Sequence, residues 1–382
     1  MQLCGFVATL YAIPRCMGKF VRAGIIGKDI NKIDRAAPNY AELKAKAPDV
    51  PESQGLVVGA VYLCCVVLLQ PLLRDYVCFP FSGIYSVFNL TVLMGFQQQT
   101  TKQKQVGTYN AGILSMCMAL LLGFADDVLD VRWRWKIVLS ALSTLPLLLA
   151  YDGPTDLVLP EGVAALLRVP PVLHLGVLYR AGICCIAIFC TNAINIHAGV
   201  NGLEAAQSAV VGAFVALYDA LEIAAGRDTH GCHQLSLCLV APFVATTLGL
   251  LYHNWYPAAV FVGDSYTYFA GMALSVAGVL GHFPRTLLLL FVPQLLNFVF
   301  SLPQLLGFIP CPHHRLPNYN VATNRLEAVW PPHYTLLNFW LKVFGPMTEK
   351  SLSLAMLLFQ VLCCALALAL RYSPLSYLFL GE

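Results

Sequence analysis

The sequence predicts an all-α polytopic membrane protein of about ten transmembrane helices, with a cytosolic active-site cleft built from its odd-numbered loops. Three observations predict it. Of 382 residues, 58% are hydrophobic and only 11% charged, where soluble domains carry roughly a quarter charged residues. Mean hydropathy is +0.69. The apolar residues gather into runs approaching the ~20 residues a helix needs to cross hydrocarbon, and the polar stretches between them alternate in character.

The first run, 3–14, is shorter than a spanning helix requires. Either the chain begins partway through its first span or this segment lies in the interface. The start, Met1-Gln2-Leu3-Cys4, lacks the basic region of a cleavable signal. Longer runs follow at 54–73, 109–125, 137–151, 174–195, 203–221, 235–252, 266–281, 286–309 and 352–370. Together they make ten spans in one domain covering 1–382. An apolar run at 84–96, beside the sequon Asn89-Leu90-Thr91, is too short to span and reads as a luminal re-entrant or surface segment.

Parity puts the stretches 19–53, 126–136, 196–202, 253–264 and 310–350 on one side. The first carries Lys19, Arg22, Lys28, Lys32, Arg35, Lys44 and Lys46. The second carries Arg132, Arg134 and Lys136, and the last Arg315, Arg325, Lys342 and Lys350. The intervening loops hold few cations, so positive-inside weighting places the odd-numbered loops in the cytosol. A net charge of +3 is too small to suggest nucleic acid as a partner. Many of the 14 cysteines lie inside apolar runs, where Cys acts as a small hydrophobe, and no CxxC pairs with His as a zinc site would.

The odd-numbered loops concentrate acids, amides and glycines at helix ends. Asp126 and Asp127 close an apolar run and precede Arg132, Arg134 and Lys136. Hard oxygens beside cations suit an anionic substrate held through Mg²⁺ or Mn²⁺; a membrane-edge salt bridge is the plainer reading. Asn192, Asn195 and Asn201 lie near Gly199 and Gly202, offering amide oxygens and a close backbone approach, or simply a tight polar turn. Asp264 follows Gly263 directly before a span, as a metal ligand or an N-cap. Phe261 stacks a base or anchors at the interface. His313, His314 and Arg315 follow Pro310-Cys311-Pro312, a stiffened segment suited to neutralising phosphate. Three acids, several amides, two histidines and several cations on one face fit Mg²⁺-dependent transfer of a phosphoryl-linked group to a lipid.

These motifs, in this order, resemble the polyprenyl-phosphate N-acetylhexosamine-1-phosphate transferase family, and most of all its eukaryotic branch. The likeness rests on Gly123-Phe124-Ala125-Asp126-Asp127-Val128-Leu129, Asn192-Ala193-Ile194-Asn195-Ile196, Asn201-Gly202-Leu203-Glu204 and Leu251-Tyr252-His253-Asn254-Trp255-Tyr256-Pro257. Phe261-Val262-Gly263-Asp264, Pro310-Cys311-Pro312, Pro51-Glu52-Ser53-Gln54-Gly55 and Gly27-Lys28-Asp29-Ile30-Asn31-Lys32 carry it further. The resemblance implies transfer of a sugar 1-phosphate from UDP-N-acetylglucosamine to dolichyl phosphate with release of UMP. That is the first step of the lipid-linked pathway of protein N-glycosylation, on the cytosolic face of the endoplasmic reticulum membrane.

It also implies roles. Asn195 and Asp264 ligate Mg²⁺, Asp126 and Asp127 lie beside it, and Lys136 contacts phosphate. Phe261, Asn201, Gly199 and Glu52 line a uridine pocket, while His314 and Arg315 hold the sugar and its phosphate. Lys28, Asp29, Asn192 and His313 join the substrate-binding set. The expected partners are UDP-N-acetylglucosamine, dolichyl phosphate, the bilayer and a second copy in a homodimer. Three positions depart from the family pattern: His313 stands where Arg is usual, Asp130 where Asn is usual, and His197 where an apolar residue is commoner.

Three rivals remain: a transferase acting on undecaprenyl phosphate, a cation-coupled transporter, and an inactive scaffold. Internal repeats would favour the transporter, and none is apparent. For the transferase, dolichyl phosphate is already largely anionic near pH 7, so direct attack needs no strong general base. An aspartyl nucleophile would instead exchange labelled UMP into UDP-sugar without lipid acceptor.

Overall fold

A computed structural model describes residues 2–34, 37–76, 91–159, 161–228, 230–312 and 315–373. The chain folds as α1 (Gln2–Arg22), β1 (Ile26–Lys28), α2 (Tyr40–Lys46), β2 (Asp49–Pro51), α3 (Gly55–Tyr76), α4 (Thr91–Leu129) and α5 (Trp133–Ala150). Next come β3 (Asp156–Val158), α6 (Glu161–Leu167), β4 (Val172–His174), α7 (Val177–Ile196), α8 (Leu203–Ala224), α9 (Cys232–Asn254) and α10 (Gly263–Leu280). The last third holds α11 (Pro284–Leu290), α12 (Val292–Leu305), β5 (Asn318–Asn320), β6 (Arg325–Glu327), α13 (Leu336–Phe344) and α14 (Glu349–Arg371). The strands form three small antiparallel hairpins; in the first, Gly27 faces Val50.

The molecule is a mostly helical polytopic membrane protein. Among the described residues, five helices are long and apolar enough to cross a bilayer: Val106–Leu129, α7, α8, α9 and α14. The pair α11 and α12, bent by 73°, makes a sixth if it is one broken span. Each of the ten apolar runs falls largely on helix.

Two segments differ from the sequence expectation. The short first run is part of a 21-residue helix that continues through Pro14 to Arg22. Its buried residues Gly5, Thr9 and Ile13 recur every four positions, so one stripe faces inward, and Thr9 lies against Gly249 of α9. Packing, not the length of the apolar run, sets this helix. Residues 91–96 of the apolar run at 84–96 open α4; the rest of that run, with Asn89, lies outside the described residues.

Helix α10 is the hub. Every residue from Ser265 to Leu280 is buried, and α3, α4, α7 and α9 all pack on it. Two neighbours approach so closely because they present glycine. A Cβ on Gly55 would lie 2.1 Å from the Tyr266 amide nitrogen, and one on Gly123 would lie 2.3 Å from the Asp264 carbonyl. These contacts bring the ends of α3 and α4 against the first turn of α10. A smaller apolar cluster, Val200, Leu203, Leu326, Leu336, Leu341 and Leu352, seats the segment around β5, β6 and α13 on the same end of the molecule.

Candidate functional site: a cleft at the start of α10

The first turn of α10 leaves backbone N–H groups without intrahelical partners. Asp127, at the end of α4, supplies them: its carboxylate accepts hydrogen bonds from the amides of Asp264 and of Ser265, the latter at 3.1 Å. A carboxylate there also suits the positive end of the helix dipole. Asp127 is therefore the cap of a neighbouring helix, and it fixes where Asp264 stands. Gly263 makes this seating possible, with φ of +71° and no room for a Cβ beside Asp127.

Asp126 is held differently. One oxygen accepts from the Val131 amide at 3.0 Å, and the other lies 2.7 Å from Lys136 Nζ. Lys136 Nζ is also 3.4 Å from Asp264 Oδ2, so one ammonium is shared between two carboxylates. The Asn195 amide donates to Asp264 Oδ1 at 2.6 Å and to Thr267 Oγ1 at 3.2 Å. Four residues proposed from sequence thus meet, brought from α4, α5, α7 and α10.

From this cluster a cleft of about 240 Å³ runs along the molecule's end, lined in part by Lys28, Glu52, Gly199, Asn201, Phe261 and Asp264. Gly27 lies flat beneath it: a Cβ there would fall 2.7 Å from the Phe261 ring and 3.1 Å from a Glu52 carboxylate oxygen. Burial, reinforced by the charge of Asp127, pushes the Glu52 carboxyl up to about 7. An aromatic face beside a carboxyl suits a planar, hydrogen-bonding base.

Asp29 serves the walls. Its carboxylate pairs with Lys32 at 2.7 Å and accepts from Asn201 Nδ2 at 3.2 Å. Lys28 lines the cleft and pairs with Asp49 at 2.6 Å. Gly199, at φ +117°, presses on Leu316. Asn192 lies one turn before Asn195 but turns back on its own helix, donating to the Ile188 carbonyl at 2.8 Å. Arg315 is largely buried, and burial lowers its pKa. Its Nη1 has no hydrogen-bond partner among the described residues, which leaves the guanidinium fitted for an anion. His313 and His314 lie outside the described residues.

Asn31 and Glu204 belong to the motifs quoted from the sequence but carry no role there, and Glu349 lies outside those motifs. Asn31 Nδ2 donates to the Gly199 carbonyl at 2.6 Å and to Glu349 Oε1 at 3.1 Å, while Glu349 also accepts from the Asn201 amide at 2.9 Å. Glu204 accepts from the Gly199 amide at 3.0 Å. Glu349 and Glu204 sit in first turns of helices, where an acid is normally read as complementing the dipole. His197, 2% exposed, is held neutral, its pKa lowered by burial to about 4.

The oxygens near Asp264 suit a hard cation. Among the described residues no group of three or more His, Cys, Asp or Glu side chains could hold a metal ion. One carboxylate beside one amide is instead the sparse set that binds Mg²⁺ jointly with substrate phosphates.

The family model described as glycosyl transferase family 4 matches residues 109–282, which include Asp126, Asp127, Asn195 and Asp264. The chain is also 39% identical to the UDP-N-acetylglucosamine–dolichyl-phosphate N-acetylglucosaminephosphotransferase of Dictyostelium discoideum, over 97% of this chain and 87% of that protein. This chain belongs to glycosyl transferase family 4. Proteins of the same name in Schizosaccharomyces pombe and Saccharomyces cerevisiae are each 34% identical, over 99% and 97% of this chain and 92% and 90% of their own lengths. Membership gives the cleft a chemical context: all the residues just described that fall within 109–282 belong to the shared family region.

Proposed function

We propose that this chain is a UDP-N-acetylglucosamine–dolichyl-phosphate N-acetylglucosaminephosphotransferase, a single transferase domain over 1–382. It transfers N-acetylglucosamine 1-phosphate from UDP-N-acetylglucosamine to dolichyl phosphate, giving N-acetylglucosaminyl-diphosphodolichol and UMP. The observation that carries this reading is the similarity, over nearly the whole chain, to eukaryotic proteins of that name. The cleft agrees with it in layout. Phe261 and Glu52 line the same cleft as Asn195 and Asp264, and Lys136 stands 3.4 Å from Asp264.

In the reaction an oxygen of dolichyl phosphate attacks the β-phosphorus of UDP-N-acetylglucosamine. A new P–O bond forms there, and the bond to the bridging oxygen breaks, so UMP leaves with that oxygen. Asn195 and Asp264 would hold Mg²⁺, which supplies charge neutralisation at the diphosphate. Lys136 adds positive charge at the same place and holds Asp126 and Asp264 together. Asp127 positions Asp264 by capping α10, and Arg315, with His313 and His314, receives the sugar phosphate. Because the nucleophile is already an anion near pH 7, these residues work chiefly by placement and neutralisation.

The ten-span topology, with the odd-numbered loops and the cleft facing the cytosol, belongs to this reading. So does residence in the endoplasmic reticulum membrane. The cation bias of the loops supports the orientation. The test is UMP release by the purified protein given UDP-N-acetylglucosamine, dolichyl phosphate and Mg²⁺. Release that depends on all three establishes the activity, and none under conditions where the protein is folded overturns it.

A further inference from the structure

Helix α12 is apolar by composition, yet four of its five fully buried residues are polar: Gln294, Asn297, Ser301 and Gln304, with Pro293 the fifth. Their spacing of three, four and three puts them on one face, over about 15 Å of helix. Such a stripe cannot face lipid, because unmet polar groups there are costly. It faces the site's supports.

Each member has named partners. The Gln294 amide donates to Gln207 Oε1 and to Gln360 Oε1, both at 2.7 Å, and Gln207 passes the contact on to the His197 carbonyl at 2.7 Å. Asn297 donates to the Ile196 carbonyl at 3.0 Å and accepts from the Leu336 amide at 2.8 Å. Ser301 donates to the Tyr334 carbonyl at 3.2 Å. Gln304 donates to the carbonyls of Pro310 at 3.1 Å and Pro332 at 3.0 Å, and accepts from the Tyr334 amide at 3.2 Å.

The partners divide by position. At one end of the stripe they are the last turn of α7, where Ile196 and His197 directly follow Asn195. At the other they are Pro310 and the loop before α13, where His333 Nδ1 lies 3.1 Å from the Leu316 carbonyl and Asn338 of α13 donates to the Arg315 carbonyl at 3.0 Å. Among the described residues, two of the stripe's hydrogen bonds join side chain to side chain between helices; the other six grip backbone carbonyls and amides around the site.

We propose that the polar stripe of α12 is a positioning spine for the transferase site: Asn297 sets the Asn195 end, which holds the metal, and Gln304 sets the Arg315 segment, which holds the sugar and its phosphate. The proposal rests on the roles given above to Asn195 and Arg315. Its specific content is that the two ends are adjusted independently by two residues that touch neither substrate.

The test separates the ends in full-length protein, with Mn²⁺ as the metal probe followed by its electron paramagnetic resonance signal in the presence of UDP-N-acetylglucosamine. Asn297→Asp keeps the acceptor for Leu336 and loses the donor to Ile196; Asn297→Leu loses both. Each weakens Mn²⁺ binding about tenfold, the effect of about one hydrogen bond's positioning, and leaves the preference for UDP-N-acetylglucosamine over UDP-glucose intact. Gln304→Met does the reverse, lowering that preference about tenfold in binding and leaving Mn²⁺ affinity unchanged, while Gln304→Glu, which keeps only the acceptor for Tyr334, behaves like Gln304→Met.

Melting temperatures of the ligand-free variants are measured alongside. If both readouts fall together in every variant, in step with melting temperature, the stripe is packing alone and the proposal is overturned. Unchanged readouts in all variants overturn it equally. Asn195→Ala distinguishes the underlying assignment: unaltered Mn²⁺ binding there removes the metal role and the Asn297 limb with it. The Gln304 limb then stands or falls on the sugar preference.

Discussion

The two ends of α8 bury charge in opposite ways. At its start, beside the cleft, charges are shared: Lys136 serves both Asp126 and Asp264, Glu349 gathers Asn31 and Asn201, and Arg315 Nη1 has no partner among the described residues. Toward its other end, the acids Asp219 and Glu222 are each held by a basic neighbour. Glu222 takes Arg227 at 2.7 and 2.9 Å and the Tyr372 hydroxyl at 2.7 Å. Asp219, fully buried, meets His233 Nδ1 at 2.8 Å, and that imidazole stacks on Phe283. A pair such as Asp219 with His233 ties α8 to α9, whereas a lysine divided between two acids, next to a cleft, is arranged to accept a further anion.

The sharpest way to break the comparison is to remove one acid from each end. Asp264→Ala should lower UMP release by about 10³-fold, on the scale of losing a principal electrostatic group in an active site, with little change in melting temperature. Asp219→Ala should do the opposite, costing about 3 kcal/mol of stability as a buried pair is broken and sparing turnover per folded molecule. Thermal melts and UMP release on the same preparations decide. Equal damage to both properties in both variants would erase the distinction.

Lys136 comes next. Lys136→Met should cost about 10²-fold in turnover, because Asp126 and Asp264 then face each other without a cation. Lys136→Arg should recover little, since a planar fork does not replace a compact ammonium between two carboxylates. Measuring turnover against Mg²⁺ concentration sharpens this: if added Mg²⁺ fully restores Lys136→Met, the lysine's role is only to counter charge.

Asp127→Asn should be milder, about tenfold in turnover, comparable with the loss of a helix cap. The pH profile is the informative measurement. As a cap, Asp127 leaves every limb of the profile in place when replaced, moved only as far as loss of its charge lowers the Glu52 pKa; as the base that takes a proton from the lipid phosphate, it would remove the limb it governs.

What sequence reveals about this molecule follows from what membranes demand. The apolar runs on α4, α7, α8, α9 and α14 were legible because a helix crossing lipid must be apolar along its length. The run at 286–309 gave no hint of the 73° bend between α11 and α12, although Pro293 marks the place in retrospect. The helical extent of α1 was hidden by Pro14, Arg15 and Lys19, which interrupt the apolar run without ending the helix. Within the site, Asn195 and Asp264 lie 69 positions apart and touch; each alone also reads as a turn or a cap, and only their order among other motifs singled them out. Glu349 stayed hidden because an acid in a helix's first turn has an ordinary explanation, and Asn31, though inside a quoted motif, gained no role because an amide in a loop has one too. The stripe of Gln294, Asn297, Ser301 and Gln304 is visible as a spacing, but only the partners show that it faces the cleft's supports.

The smallest effect concerns Glu52, where the two ends of α8 have no counterpart. Its carboxyl is buried and lies beside Asp127, which raises its pKa from 4.5 to about 7. The folded state therefore holds this proton more tightly than the unfolded state does. Between those values the unfolded chain binds fewer protons, so the contribution of Glu52 to stability declines as pH rises, and above about 7 the decline is complete. Glu52→Gln carries no such proton. In ligand-free protein, the melting temperature of the parent should fall further than that of Glu52→Gln between pH 5 and pH 8, with the gap opening mainly below about pH 7. A constant gap across that range would mean Glu52 is ionised throughout, and the slot beside Phe261 would then present a fixed negative charge to its base.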